Sequence, residues 1–360
     1  MNITFMIGNG FDLNLGLKTR YTDFYPYFKK NASDDNMIKA WINDSKIELW
    51  SDLEYKLGRE LCRIGTEEEL EKFYTDKDEL DELLVEYLEK EQDRYKIDTS
   101  EIIRKEMTRS LLEFYKNLST VNRDSIQNTL SKYITEDYGY NFINFNYTNI
   151  IDQFVATYPT QPGIIGNHRG SYTKEIRMVH HIHGQLDADM ILGVNDESQI
   201  DNDMLKRNPR FLNGFIKQNI DREIGNERIQ RAINLIDKSS IICVFGLSMG
   251  ETDKIYWEKL ISWLKVDSEH KLIVYVVIDK EKTKRRTGSK IVRIQEDERF
   301  RVFKKGQGGF EDEVYNEIKD RIMISINDTI FSFPIMADCK DDNMEYEDDD
   351  IGWTQSFGVI

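Results

Sequence analysis

Cysteine is scarce in this chain: Cys62, Cys243 and Cys339 are widely separated and form no Cys-x-x-Cys pair. That speaks against both a disulfide framework and a structural zinc site. Long apolar runs are missing as well. None approaches the roughly 18 residues of a membrane span, and the first residues lack the basic region and apolar segment of a secretory leader. A cytoplasmic protein is the expectation. Positive charge falls short of negative, with 49 Lys and Arg against 65 Asp and Glu and a net charge of −16. Nucleic-acid backbones are held largely by Lys and Arg, so the balance argues against a general nucleic-acid binder and leaves room only for a small local basic site. The hydrophobic fraction of 39% is modest and the charged fraction of 32% high, which suits a solvated helical region better than one compact core.

What the chain does contain is a series of buried-strand patterns that end in polar turns. Asn2-Ile3-Thr4-Phe5-Met6-Ile7 runs into Gly8-Asn9-Gly10-Phe11-Asp12. This is an apolar strand entering a Gly-x-Gly turn, with a helix start expected after it. Glycine lets a ligand approach the main chain closely, and free amides at a helix start attract an anion, typically phosphate. The same glycines also suit a purely steric turn. Tyr140 to Thr148 alternates apolar and polar residues and leads into a helix at Ile150 to Tyr158. Pro159, Pro162, Gly163, Gly166 and Gly170 mark an irregular loop. Arg177 to Gly184 reads as a short strand ending in His183-Gly184, and Asp189 to Asp196 as another strand.

Leu205 to Asp237 has helical character broken near Pro209 and Gly225. Ser240 to Ser248 and Lys271 to Asp279 are continuous apolar runs suited to central parallel strands. Arg299 to Phe303 reads as a last short strand and Glu311 to Ile324 as a last helix. Alternating strands and helices imply an α/β protein with a Rossmann-like, mostly parallel sheet covered on both faces. Residues 29–138 break the pattern as a large helical insertion. Trp41, Leu49, Trp50, Leu53, Leu57 and Leu61 recur at helical spacing, as do Leu80, Leu83, Leu84, Tyr87 and Leu88, and again Ile103, Met107, Leu111, Leu112 and Tyr115. The α/β domain is therefore expected over 1–28 plus 139–324, and an acidic, flexible tail over 325–360, where Trp353 and Phe357 stand beyond the charge run.

Four polar clusters fall at strand ends: Gly8 to Asp12, Asn144 to Thr148, His183-Gly184 and Gly246 to Ser248. Ligands of open α/β sheets bind outside the carboxyl ends of the strands, near the point where strand order reverses, so clusters remote in sequence are expected to converge there. Each residue also has a plainer use. Asn146 suits a turn or helix cap, His183 a satisfied strand-end histidine, Ser248 a turn, and Asp279 a loop start. A His181–His183 metal pair lacks further ligands at diagnostic spacing, so no metal site is expected.

The blocks Met6-Ile7-Gly8-Asn9-Gly10-Phe11-Asp12-Leu13, Asn144-Phe145-Asn146-Tyr147-Thr148, His181-Ile182-His183-Gly184 and Phe245-Gly246-Leu247-Ser248 together resemble the AbiH family of bacterial abortive-infection, anti-phage proteins. The likeness runs from Met1 to about Ile324. More distantly the same blocks resemble sirtuin-type nucleotide-binding domains, through Gly8, Gly10, Gly16 and Leu17, the Asn144–Asn146 segment, His183-Gly184 and Gly246-Leu247-Ser248. This resemblance implies a sirtuin-like sheet with NAD bound across it and cleaved between nicotinamide and ribose. In such a site His183 and Asn146 are the catalytic candidates, as acid/base and as positioner of ribose or water. Gly8, Asn9, Gly10, Phe11, Asp12, Asn144, Gly246, Ser248 and Asp279 are the nucleotide-binding candidates.

The zinc-binding cysteine quartet of sirtuin deacylases is absent, so no zinc is expected. Asp12 stands where those proteins have Ser, and a carboxylate beside a diphosphate is repulsive unless it faces ribose or a cation. The implied function is a phage-defence effector that hydrolyses NAD to nicotinamide and ADP-ribose. A nucleotide-sensing module that cleaves nothing is the alternative, and a nuclease-type toxin is disfavoured. Expected partners are a nucleotide, a phage-derived trigger and further copies of the chain. No membrane is expected among them.

Overall fold

A computed structural model describes residues 1–44, 52–95, 101–278, 288–307 and 312–333 of the chain. Its described residues form a seven-stranded sheet in the order β3-β4-β2-β1-β5-β6-β7. The strands are β1 (Asn2–Ile7), β2 (Tyr138–Asn144), β3 (Gly163–His168), β4 (Tyr172–His181), β5 (Ile241–Phe245), β6 (Lys271–Val276) and β7 (Ile322–Ile326). All neighbouring pairs are parallel except the β3–β4 hairpin at one edge. The fully buried strands β2, β5 and β6 have the protected, largely apolar character of central strands in a covered sheet.

Strand β1 lies between β2 and β5, and the chain leaves β1 toward one side first and the other side later, so strand order reverses here. Register then fixes where the polar turns emerge. Ile7 at the end of β1 pairs with Asn144 of β2 and Phe245 of β5, and Asn144 pairs with His181 of β4. The four strands therefore end in one row, and the residues after them share one edge.

The helices are α1 (Gly10–Asn14), α2 (Tyr21–Asn31), α3 (Met37–Asn43), α4 (Leu53–Glu60), α5 (Glu67–Arg94), α6 (Glu101–Leu112), α7 (Thr120–Lys132), α8 (Ile150–Ala156), α9 (Pro209–Phe215), α10 (Lys217–Glu223), α11 (Arg228–Asp237), α12 (Lys254–Val266), α13 (Gly288–Gln307) and α14 (Asp312–Ile318). Alternation along β1 sends Ile3, Phe5 and Ile7 to one face of the sheet and Met6 to the other. The first face packs on Ile103, Met107 and Leu111 of α6, Ile126 of α7 and Phe154 of α8. The second packs on Ile236 of α11, Trp257 and Leu260 of α12, and Val302 and Phe303 of α13.

A third core joins α2 to α5 through Phe24, Phe28, Trp41, Leu57, Phe73 and Leu84 to Val194, Phe211 and Phe215. The helical stretch of the sequence thus divides. Helices α6 and α7 cover the sheet, while α2 to α5 form a body of their own with α9. The longest of these, α5, starts at a capping box: Thr66 Oγ1 accepts the Glu69 amide at 3.2 Å, and the Glu69 carboxylate accepts the Thr66 amide at 3.0 Å.

Several sequence expectations need correction. Arg299 to Phe303 is part of α13, because Val302, Phe303 and Gly306 share the helix face laid on α12. The expected last helix stops at Ile318, and Ile322–Ile326 is instead the edge strand β7, paired in register with β6. The segment 159–170 holds β3 of an antiparallel hairpin. Asp189 to Asp196 is irregular, with an isolated Val194–Ile216 bridge in place of a strand and with Leu192 and Val194 buried in the third core. The start of the expected flexible tail belongs to the fold: Ser325 and Ile326 complete β7, and Ile330, Phe331 and Phe333 are buried in the first core. Asp279, Leu49, Trp50 and residues 334–360, with Trp353 and Phe357, lie outside the described residues.

Candidate functional site

The first turn is held by its own neighbours. The Gly8 amide donates to Phe245 O at 3.0 Å and the Gly10 amide to Gly246 O at 2.9 Å. A Cβ on Gly8 would stand 2.5 Å from Leu247 Cα, and one on Gly10 2.5 Å from Gly246 Cα. Gly246 itself has φ +67°, a left-handed conformation that favours glycine. These three glycines let the ends of β1 and β5 meet backbone to backbone. The two amides are already engaged and present no free donor to the crevice.

Asp12, in the first turn of α1, is buried below this turn and accepts hydrogen bonds from Thr148 Oγ1 at 2.7 Å and Asn146 Nδ2 at 3.2 Å. The same Asn146 nitrogen reaches Gly8 O at 3.3 Å. Burial pushes the Asp12 carboxyl up to about 7, against the opposing pull of Thr148, Asn146 and nearby His181. Asn144 braces the same loop, its Oδ1 accepting the Asn146 amide at 3.0 Å. Asp12, Asn146 and Thr148 therefore latch the β1–α1 turn to the loop after β2.

The facing wall comes from other elements. His183 follows β4 and is buried edge-on against Phe145, with ring centroids 5.8 Å apart. Its ring bonds to the Phe145 backbone, and its Nε2 lies 3.4 Å from Lys217 Nζ at the start of α10. Lys217 in turn donates to Glu54 Oε2 of α4 at 2.6 Å. Glu54 Oε1 accepts Tyr147 Oη at 3.4 Å and the Gly193 amide at 3.3 Å. Burial, then the Lys217 charge, pushes His183 well below the usual histidine range, so its imidazole is neutral. Burial likewise drives Glu54 above the usual carboxylate range while Lys217 pulls it back. Asp253 before α12 is pushed up to about 6 by burial and accepts Ser248 Oγ at 3.3 Å.

Between these walls lies a cavity of about 480 Å³, within the roughly 300–1,000 Å³ range of small-molecule sites. Of the residues singled out in the sequence, Gly8, Asn9, Asp12, Asn146, His183, Gly246 and Ser248 line it. Three others do not. Phe11 is core, packed on Phe154 and Phe331, and Gly10 and Asn144 support the lining from behind. The Asn9 side chain is bonded to Thr19, donating to its carbonyl at 3.0 Å and accepting its hydroxyl.

Sequence reasoning missed Asp52 and Glu54, which come to the cavity at the N-cap and in the first turn of α4, Lys217 behind His183, and Arg301 and Asp253. Only Asp253 carried a signal, standing in the polar stretch after β5. Among the described residues no group of three or more His, Cys, Asp or Glu is placed to hold a metal ion. Nor, among them, is any helix long and apolar enough to cross a membrane.

Fold and site together define a mixed α/β protein with a mostly parallel sheet and a polar crevice at the carboxyl ends of its central strands. The model of the family described as bacteriophage abortive infection AbiH matches residues 4–275. The chain belongs to that family, which suggests a role in abortive infection by phage. No curated protein matches the chain.

Proposed function

We propose that the crevice binds NAD and hydrolyses the bond between nicotinamide and ribose, and that loss of NAD is the abortive-infection output. One observation carries this reading: residues from four strand ends, His183 and Asn146 among them, line a single small-molecule cavity at the reversal of strand order. In the reaction nicotinamide departs with the bonding electron pair, water adds to the ribose carbon, and its proton passes to neutral His183. Asn146 has its Nδ2 engaged with Gly8 and Asp12, so its Oδ1 is the atom that orients ribose or water. Arg20 and Arg301 line the cavity and supply charge for the diphosphate in place of the engaged glycine amides. Asp12, turned to Asn146 and Thr148 and carrying a raised pKa, adds less repulsion than an ionised carboxylate would.

A second reading has its own support. The Lys217 contact occupies His183 Nε2, as suits a site that binds a nucleotide and returns it unchanged. Purified protein incubated with NAD, alone and with phage-infected lysate, separates the two. Release of nicotinamide in either condition supports hydrolysis, and saturable binding without release supports sensing. Neither release nor heat of binding would overturn both.

A further inference from the structure

Three charged or titratable side chains from distant parts of the chain meet behind the cavity wall: Glu54 of α4, Lys217 of α10 and His183 after β4. Each is less than a tenth exposed. A buried ion pair adds little net stability compared with an apolar pair of similar volume, so the contact with His183 is the informative feature. An ammonium has three donors and no acceptor. The imidazole nitrogen facing Lys217, Nε2, must therefore present its lone pair. The ring proton then sits on Nδ1, and the Phe145 backbone is the ring's other hydrogen-bond partner.

We propose that Lys217, anchored by Glu54, is the positioning residue of this site, holding His183 as the Nδ1–H tautomer with its Nε2 lone pair available to accept a proton. This rests on the reading of His183 as the base. The 3.4 Å separation is beyond the usual 2.7–3.2 Å of such bonds, so a substrate hydroxyl or water can displace the contact. The groups that face the imidazole and its lysine are Lys217 from α10, Glu54 from α4, Tyr147 and Phe145 from the loop after β2, and Asp253 before α12. Lys217 is the cation among them, and its charge opposes protonation of the ring. Glu54, by pairing with it, keeps that charge in the wall. Without the ammonium, burial alone keeps the imidazole neutral, and its orientation and tautomer lose one of their two restraints.

The test is side-chain nitrogen NMR of the five histidines in the full chain, with the His183 signals identified by their loss in His183→Gln. In the unaltered protein His183 is expected as the Nδ1–H tautomer, still neutral well below the usual histidine range. Lys217→Met is expected to raise its titration by about one to two pH units or to mix its tautomers, and Lys217→Arg to preserve the original behaviour. The acid limb of nicotinamide release should move to higher pH in Lys217→Met by the same amount.

An Nε2–H tautomer in the unaltered protein, which needs no variant to detect, would overturn the proposal. So would a His183 titration and tautomer unmoved in a folded Lys217→Met. If the NMR changes occur and no nicotinamide is released by any form, the positioning role stands and NAD hydrolysis falls. If nicotinamide is released and the NMR signals do not move, hydrolysis stands and the positioning role falls.

Discussion

On one wall of the crevice a buried carboxylate, Asp12, is held by two neutral donors, Asn146 and Thr148. On the opposite wall a buried carboxylate, Glu54, is held by an ammonium that also touches a histidine. The first arrangement is a latch within the sheet-derived loops. Its carboxyl can become neutral without leaving a charge behind. The second crosses from the helical body to the sheet and contains a cation whose partner cannot be removed cheaply. The contrast separates a wall whose carboxyl can be neutralised in place from a wall that holds a cation beside a histidine. It also gives the α2–α5 body a direct place in the crevice, since α4 brings Glu54 and α5 brings Leu84 and Leu88 to the cavity.

The sharpest way to separate the walls is to remove the proposed base. General acid–base groups contribute roughly 10²–10⁴-fold, so His183→Ala should lower nicotinamide release by that factor in a steady-state assay. A variant with near-normal turnover would take the histidine out of the reaction. Next in size is Glu54→Ala, which leaves Lys217 buried and unpaired. Loss of one member of a buried pair costs roughly 3–5 kcal/mol, to be measured by urea unfolding. A loss below about 1 kcal/mol would erase the distinction between the walls.

Asp12→Asn tests the latch through pH. Its carboxyl rises from an ordinary 3.8 to about 7 on folding, so the stability it carries is complete below about pH 4 and is lost as pH climbs through 7. The unaltered protein should therefore lose melting temperature between about pH 4 and 7.5, and the variant should lose less. The difference at the alkaline end is roughly 2–4 kcal/mol. His183 works in the opposite sense. Its value is depressed on folding, so its contribution is present above about pH 6.5 and fades as pH falls below that. The smallest effect is expected from Gly10→Ala. The new methyl would meet Gly246 Cα at 2.5 Å, and the backbone shift should cost roughly 1–3 kcal/mol by the same unfolding measurement.

The sheet-derived wall was legible in the sequence, and the helix-derived wall was not. An apolar run ending in Gly8-Asn9-Gly10 or Gly246-Leu247-Ser248 signals a strand and its exit locally, and parallel register then brings Ile7, Asn144, His181 and Phe245 into one row. Nothing local marks Lys217, a lysine opening a short helix, or Glu54, a glutamate between Leu53 and Leu57. Their partners are 163 and 34 residues away along the chain.

Where local pattern misled, packing explains the difference. Phe300, Val302 and Phe303 read as strand residues until Val302, Phe303 and Gly306 are seen on one helix face against α12. Ile322-Met323-Ile324 continues a helical stretch in sequence, yet supplies the edge strand that β6 pairs with. Asp12, the residue that fitted a nucleotide site least well, proves to be part of the latch.

The most direct test of the crevice as a nucleotide site is calorimetric titration of NAD into the unaltered protein and into Thr22→Trp. Thr22 lines the cavity from the start of α2, and an indole there would fill part of it while leaving every residue of the latch and of the Glu54–Lys217–His183 chain in the sequence. Saturable binding to the unaltered protein, abolished in a Thr22→Trp variant of unchanged melting temperature, is the expected result. Absence of binding to the unaltered protein, or equal binding to both, would contradict it.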